Sequence, residues 1–202
     1  MATRAKRGRP VAGPERRDSI LEAALACFVE RGFYGTAIPE IADKAGIAAG
    51  TIYHHFDSKE ALVNALYRHW KAAIAQRVFM AFPQTASTRT QFQVIWHEMV
   101  AFALGAPTAF AFVELHNHAS YLDAESIAID RHVKDFARAV IERAQREGIV
   151  KPLNANVLME LMFGAFVGMM RAHWEGRIEL SEGVIGDAEQ ACWDAVAVHP
   201  PR

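Results

Sequence analysis

Only two cysteines, Cys27 and Cys192, occur among 202 residues, far apart and without CxxC or Cys/His spacing. That excludes a disulfide framework and a cysteine-based zinc site. Both lie in apolar helical patterns, as the reduced core thiols of a cytoplasmic protein do. Period-2 alternation bounded by turn residues is also missing, which argues against a β-rich fold. The longest uninterrupted apolar run, LMFGAFVGMM at 161–170, is about half of the roughly 20 residues that cross a bilayer. It reads as a buried helix face and implies no membrane partner. No Ser/His/Asp set, phosphate-cradling glycine loop or supported pair of carboxylates is present, so the expectation is not an enzyme, with no cofactor.

Net charge is nearly absent too, at −1 with 51% apolar and 22% charged residues, a globular composition. The balance hides an asymmetry. Residues 1–17 set Arg4, Lys6, Arg7, Arg9, Arg16 and Arg17 against Glu15 alone, a charge of +5 that leaves −6 on the rest. No apolar stretch follows this block, and Glu15 and Asp18 come too soon for an organellar presequence. A solvated tail and an arm that touches a polyanion remain as readings.

The spacing predicts an all-α chain. Ile20, Leu21, Ala24 and Phe28 form a stripe on a helix that starts near Gly13-Pro14 and ends at Gly32. Two short helices follow at 38–45 and about 49–55, turned by Gly46. A long amphipathic helix within 56–79 then opens on Asp57 or Ser58 as cap. After a loop at 82–88, helices are expected at 88–104, 107–119, 123–147, 154–176 and 182–197.

Two short helices joined by a glycine turn match a helix-turn-helix, whose second helix enters the DNA major groove. Ile52 and Phe56 are needed to hold that helix, which leaves Ala49, Gly50, Thr51, Tyr53, His54 and His55 to face outward. Hydroxyls and imidazoles can meet phosphates or base edges, and Gly50 keeps no side chain between helix and groove. Lys59 joins a cation to the free N–H groups of a helix start, a seat for phosphate. A short polar helix pair in an α-helical domain would look the same by pattern alone.

The segment GFYGTAIPEIADKAGIAAGTIYHHFDSKEALVNAL at 32–66 resembles the DNA-binding domain of the TetR family of transcriptional regulators. Gly35-Thr36 before IPEIADKAGI, then GTIYHHFDSKEAL, carry the likeness, which with the first helix covers 14–66. It implies an all-helical homodimer with a three-helix, helix-turn-helix domain at 14–58 and a helical effector-binding and dimerisation domain at 59–202, while the basic residues within 1–13 are read from their charge as a flexible arm. By position it implies phosphate contacts from Thr51, Tyr53 and Lys59, with Ala49, Gly50, His54 and His55 at the groove. Ala37 and Ala48 depart from the Ser or Thr usual there, and losing such a cap costs about 0.5–2 kcal/mol. Packing by Ile41, Ala45, Ile47 and Ile52 is expected to compensate.

In the larger domain the resemblance implies a cavity for a small, mostly apolar effector, with Trp96, Phe102, Phe112, His116, Met162 and Trp174 as candidate walls. Glu114, His116 and His118 in ELHNHAS invite a metal reading. On a helix, however, residues two apart diverge by about 200°, and no third ligand suggests itself. Gly164 and Gly168 form G-x-x-x-G, which lets either a partner subunit or an intrachain helix approach closely. Since family members dimerise through their last two helices, Phe163, Gly164, Val167, Gly168, Ala188, Cys192 and Ala195 are candidates for the dimer interface. The function expected is a ligand-responsive repressor that binds a pseudo-palindromic double-stranded DNA operator as a dimer. A helical scaffolding or ligand-binding protein with a residual helix-turn-helix, and an architectural binder dominated by the arm, are the alternatives. Arg7-Gly8-Arg9-Pro10 resembles the core of an AT-hook, so Arg7 and Arg9 are expected in a narrow minor groove.

Overall fold

The structure, a computed structural model, describes residues 13–199. Its helices are α1 (Gly13–Arg31), α2 (Ile38–Ala45), α3 (Ala49–Tyr53), α4 (Lys59–Ala81), α5 (Thr88–Gly105), α6 (Pro107–Phe110), α7 (Ala124–Arg146), α8 (Ala155–Trp174) and α9 (Glu182–Val196). The only extended pairing among the described residues is one isolated bridge between Val150 and Ala197.

Helix α1 buries its stripe of Ile20, Leu21, Ala24 and Phe28 and stops at Gly32, whose φ of +69° suits a residue without Cβ. Gly35 is required for a different reason. A Cβ there would lie 2.3 Å from the Arg31 carbonyl oxygen, so the turn into α2 closes only over glycine. Thr36 locks it: its hydroxyl donates to the Gly32 carbonyl at 2.8 Å, with that of Cys27 at 3.1 Å. Ala37 and Ala48 give their helices no side-chain cap. At α2 the reciprocal half of a capping box survives, the Ala37 N–H donating to Glu40 Oε2 at 2.9 Å. The expected packing is present, with Ile41 and Ile52 buried and Ala45 and Ile47 against the same core. Ser58 caps α4, accepting from the Ala61 N–H at 3.0 Å.

One hydrophobic core runs from α1 through α4, α5 and α6 to Phe166 and Met170 of α8; a smaller cluster of Ile141, Ala144, Val150, Leu158 and Val196 ties α7, α8 and α9. The helix expected at 107–119 does not form as such. Four α-helical residues give way to a π-helical turn over Ala111–Leu115, and the chain is extended at His116. The wider i→i+5 turn changes which side chains face inward. The loop that follows is clamped to α4: buried Asn64 donates to the Tyr121 carbonyl at 2.8 Å and accepts from the Asp123 N–H at 2.9 Å. Arg68 bonds Asp123 Oδ2 at 2.7 Å, and Asp123 in turn caps α7.

The apolar run at 161–170 is not a wholly buried face. Phe166 and Met170 are in the core, while Val157, Leu161, Gly164 and Ala165 are exposed along one side of α8. By length and composition α8 could also cross a membrane.

Candidate nucleic-acid interface and effector cavity

Ile52, fully buried, and Phe56 hold α3 against α2 and in the core that α1 shares, as the spacing requires. This turns Gly50, Tyr53 and His54 outward, with Thr51 and His55 half-exposed beside them; Ala49 is partly packed on the core. Nothing stands within 4 Å of a Cβ added at Gly50. The guanidinium of Arg17 lies 5.3 Å above the Phe56 ring, which brings a cation from α1 to the corner between α3 and α4. The sequence counted Arg17 only within the basic segment. Arg7 and Arg9 lie outside the described residues.

Lys59 corrects an expectation. Its ammonium turns inward, donating to the carbonyls of Phe33 at 2.9 Å and Thr36 at 3.0 Å and resting 4.3 Å over the Phe33 ring. Two carbonyl acceptors and an aromatic face satisfy the charge within the fold. Lys59 therefore fastens the start of α4 to the α1–α2 turn and does not present its ammonium to a phosphate.

Two adjoining cavities open among α4, α5, α7 and α8. The outer one, about 360 Å³, is lined by Tyr67, Lys71, Phe79, Phe102, His116, His118, Asp130 and Phe136 among others. The inner one, about 150 Å³, is walled by Phe92, Trp96, Met162, Phe166 and Trp193. Ile95, Met99, Ala137, Met159 and Phe163 belong to both. Phe102 and His116 thus reach the outer cavity, and Trp96 and Met162 the inner. Phe112 and Trp174 line neither. The π-helical turn points Phe112 toward α1, 6.3 Å from the Phe28 ring, and Phe110 stands between Trp174 and the cavity at 5.4 Å from the indole.

The outer cavity has a charged wall. Lys71, 8% exposed, places Nζ 2.9 Å from Glu114 and 3.1 Å from Asp130, which also pairs with Lys134 at 2.8 Å. Burial pulls the Lys71 ammonium toward deprotonation, but the attraction of Glu114 and Asp130 outweighs it and holds its pKa above the ordinary value. Asp130 is likewise pushed up by burial yet kept below the usual carboxylate value by Lys134 and Lys71. The sequence held a signal for this site: Tyr67, Ile74 and Val78 form a stripe on α4 that Lys71 interrupts at i+4. Among the described residues no three His, Cys, Asp or Glu side chains gather as a metal site. Since His116 to Ser120 leave the helix, helical spacing is not what separates Glu114, His116 and His118.

His118 lies between this cavity and the DNA-binding helices. Its Nε2 faces the Phe112 carbonyl, which can only accept, so Nε2 carries the proton and Nδ1 accepts from the Tyr121 hydroxyl at 2.8 Å. Burial lowers the His118 pKa and raises that of Tyr121 to about 12, so both groups are neutral near pH 7. The Tyr121 ring stacks on Phe33 at 4.3 Å, and Tyr34 bonds Ser120 at 3.0 Å. The cavity wall and the α1–α2 turn are therefore two side chains apart.

The predicted dimer residues divide. Gly164 and Ala195 are exposed and Gly168 half-exposed; a Cβ at either glycine would meet nothing within 4 Å, so no intrachain helix packs on them. Phe163 lines both cavities, while Val167, Ala188 and Cys192 are half-buried and lean on the core. Val157 and Leu161 on α8 and Val184 on α9 are exposed apolar side chains of the same two helices.

Residues 20–66 match the family model of bacterial regulatory proteins of the tetR family, and 67–198 that of the tetracyclin repressor-like C-terminal domain. The two matches meet inside α4. A transcriptional repressor named KstR2 from Rhodococcus jostii is 49% identical over 53 residues, which is 26% of this chain and 26% of that protein. The chain thus spans about a quarter of the length of that relative. The probable acrEF/envCD operon repressor of Escherichia coli is 27% identical over 166 residues, 77% of this chain and 74% of its own. Among solved structures, a TetR family transcription regulator from Marinobacter aquaeolei superposes with a TM-score of 0.83 at 23% identity, covering 92% of this chain and 97% of that one. The KstR2 structure from Mycobacterium tuberculosis gives 0.74 at 22%, covering 95% and 98%. This chain belongs to the TetR family of transcriptional regulators.

Proposed function

We propose that the protein is a ligand-responsive repressor, a homodimer that binds a pseudo-palindromic operator and leaves it when a small, mostly apolar molecule fills the paired cavities. The observation that carries this reading is the short link from cavity to DNA-binding helices through His118, Tyr121, Phe33 and Lys59. Related proteins named as repressors support the sign of the output.

At the DNA, Thr51, Tyr53, His54 and His55 supply hydroxyl and imidazole donors, and Gly50 lets the backbone come close. Arg17 adds a cation beside them, and Arg7 and Arg9 reach a minor groove from the N-terminal segment. A C2 dimer sets the two α3 helices on half-sites about 34–36 Å apart. The exposed apolar side of α8, with Val157, Leu161, Gly164 and Gly168, and of α9, with Val184 and Ala195, is the face that pairs.

Effector bound against His118 shifts the 116–123 loop, and with it the Tyr121–Phe33 stack on which the α1–α2 turn rests. Coupling of this kind is worth about 1–3 kcal/mol, and DNA must weaken effector binding by the same factor. The test is a footprint on DNA flanking the protein's own gene, repeated with candidate ligands. Protection of a two-fold symmetric site that a cavity ligand abolishes is expected. A ligand that binds the cavity and leaves operator affinity unchanged refutes the mechanism.

A further inference from the structure

Small groups fill the start of α3. Ala48, the residue before the helix, is extended with φ −74° and ψ 142°, gives no side-chain cap and is exposed. Ala49 and Thr51 follow, half-buried, on either side of exposed Gly50, where an added Cβ would meet nothing within 4 Å. Buried Ile52 and Phe56 fix which side of the helix faces the core. Tyr53 and His54, both exposed, and half-buried His55 stand at its other end. From Ala48 to His55 there is no arginine, lysine, asparagine or glutamine. Those are the side chains that bond guanine and adenine edges in pairs in the major groove.

In a helix-turn-helix the first residues of the second helix meet the base edges. Here Ala48, Ala49 and Thr51 bring three methyl groups and one hydroxyl. Thymine is the base that shows a methyl in the major groove, and alanine and the threonine methyl are its apolar partners. With no side chain at Gly50, such short groups can come close enough to touch it. Positive charge comes instead from exposed Arg17 on α1 and exposed Lys44 on α2. Together with the hydroxyl and imidazole donors of Tyr53, His54 and His55, it suits phosphates.

We propose that α3 chooses its operator through thymine methyls in the major groove, met by the methyls of Ala48, Ala49 and Thr51, and not through hydrogen bonds to guanine. This rests on the reading of the protein as an operator-binding dimer with α3 in the major groove. Each thymine methyl taken out of water against the protein contributes about three- to fivefold in affinity. Selectivity therefore gathers from several T·A pairs and not from one strong contact. The minor groove carries no methyl, so contacts there do not enter this readout.

The test uses the full-length protein and a library of randomised duplexes, from which the preferred sequence is enriched. Each thymine of a half-site is then replaced by deoxyuridine, which lacks the methyl and keeps every hydrogen-bonding group. Each guanine is replaced by 7-deazaguanine, which lacks the N7 acceptor. Deoxyuridine at one or more positions of each half-site is expected to weaken binding about three- to fivefold, and 7-deazaguanine to weaken it less at every position. Ala48→Gly, Ala49→Gly and Thr51→Ser take the partner methyls away. Serine keeps the hydroxyl, and glycine starts a helix better than alanine does at the Ala48 position. In the variant whose methyl meets a given thymine, the deoxyuridine penalty at that thymine disappears. The deoxyuridine series needs no variant and stands alone if a substitution within α3 does not fold. No penalty in either half-site, a penalty unchanged in all three variants, or a 7-deazaguanine loss above the largest deoxyuridine loss overturns the assignment; the last puts His54 or His55 on a guanine edge. A library that yields no preferred sequence overturns operator binding and the assignment together, whereas a two-fold symmetric sequence indifferent to its thymine methyls overturns the assignment alone.

Discussion

Lys71→Met isolates the charged wall of the outer cavity. In the native protein one ammonium, 8% exposed, serves Glu114 at 2.9 Å and Asp130 at 3.1 Å. The methionine fills most of the same volume, so the loss is electrostatic rather than a cavity. Removing one member of a buried ion pair costs about 3–5 kcal/mol, because the partner charge stays buried without compensation. For a chain of this length that is a fall in Tm of roughly 6–20 °C. The deficit is expected to depend on pH in a specific direction. Burial pushes the Asp130 pKa up, while Lys134 and Lys71 hold it below the usual carboxylate value. Such a group contributes stability that is present above its unfolded pKa and is lost as pH falls through the folded one, and without Lys71 that contribution shrinks. The gap between variant and wild type, followed by urea unfolding at fixed protein concentration, should therefore be wide at pH 7.5 and narrower near pH 4. Adding Glu114→Gln should recover most of the loss at pH 7.5. A deficit below about 1 kcal/mol that is the same at both pH values would refute the argument and make Lys71 an ordinary surface cation.

Gly35→Ala forces a Cβ to within 2.3 Å of the Arg31 carbonyl and should cost about 1–3 kcal/mol in thermal unfolding. Gly50→Ala, with open space around it, should leave the fold as stable or gain up to about 1 kcal/mol while weakening operator binding in a gel-shift titration. His118, with its pKa lowered by burial, binds fewer protons folded than unfolded. Its contribution is complete above about pH 6.5 and is lost as pH falls through the folded pKa. His118→Gln should flatten stability between pH 7 and 5, leaving the smaller slope from His116, whose pKa burial also lowers. Leu161→Glu, on the exposed side of α8, should convert a dimer to a folded monomer in sedimentation analysis.

Local rules made much of this fold legible. The α1 stripe, the 38–45 helix, the glycine turn at 46 and the Ser58 cap depend on neighbours within a few residues, and they stand where the sequence puts them. The helix expected at 107–119 failed because its interruption is tertiary. Phe112 packs on Phe28 of α1, and His118 seeks the Phe112 carbonyl, so the chain widens into a π-turn and leaves the helix. That one change misassigned Phe112 to the cavity and made helical spacing the wrong test for ELHNHAS. The dimer candidates divide for a different reason. Phe163 and Val167 are apolar, as an interface requires, but α8 is apolar nearly all round, so composition could not tell its two sides apart. The glycines could, since they lie on the side with nothing against it.

Lys59 carries the last step. Read from the sequence, a lysine at the head of α4 belongs to the DNA; in the structure its ammonium belongs to the Phe33 and Thr36 carbonyls. The inward placement makes the α1–α2 turn a shared joint. Lys59 holds it from α4, Tyr121 holds it from the 116–123 loop, and both act on the same Phe33 ring, at 4.3 Å in each case. A lysine bound to phosphate would report only the presence of DNA. A lysine bound to this turn makes the position of the DNA-binding helices depend on the loop that walls the cavity. Under the proposed function, therefore, Lys59→Met should weaken the dependence of operator affinity on ligand more than it weakens ligand-free operator binding. Loss of operator binding with the ligand response intact would return Lys59 to the phosphate.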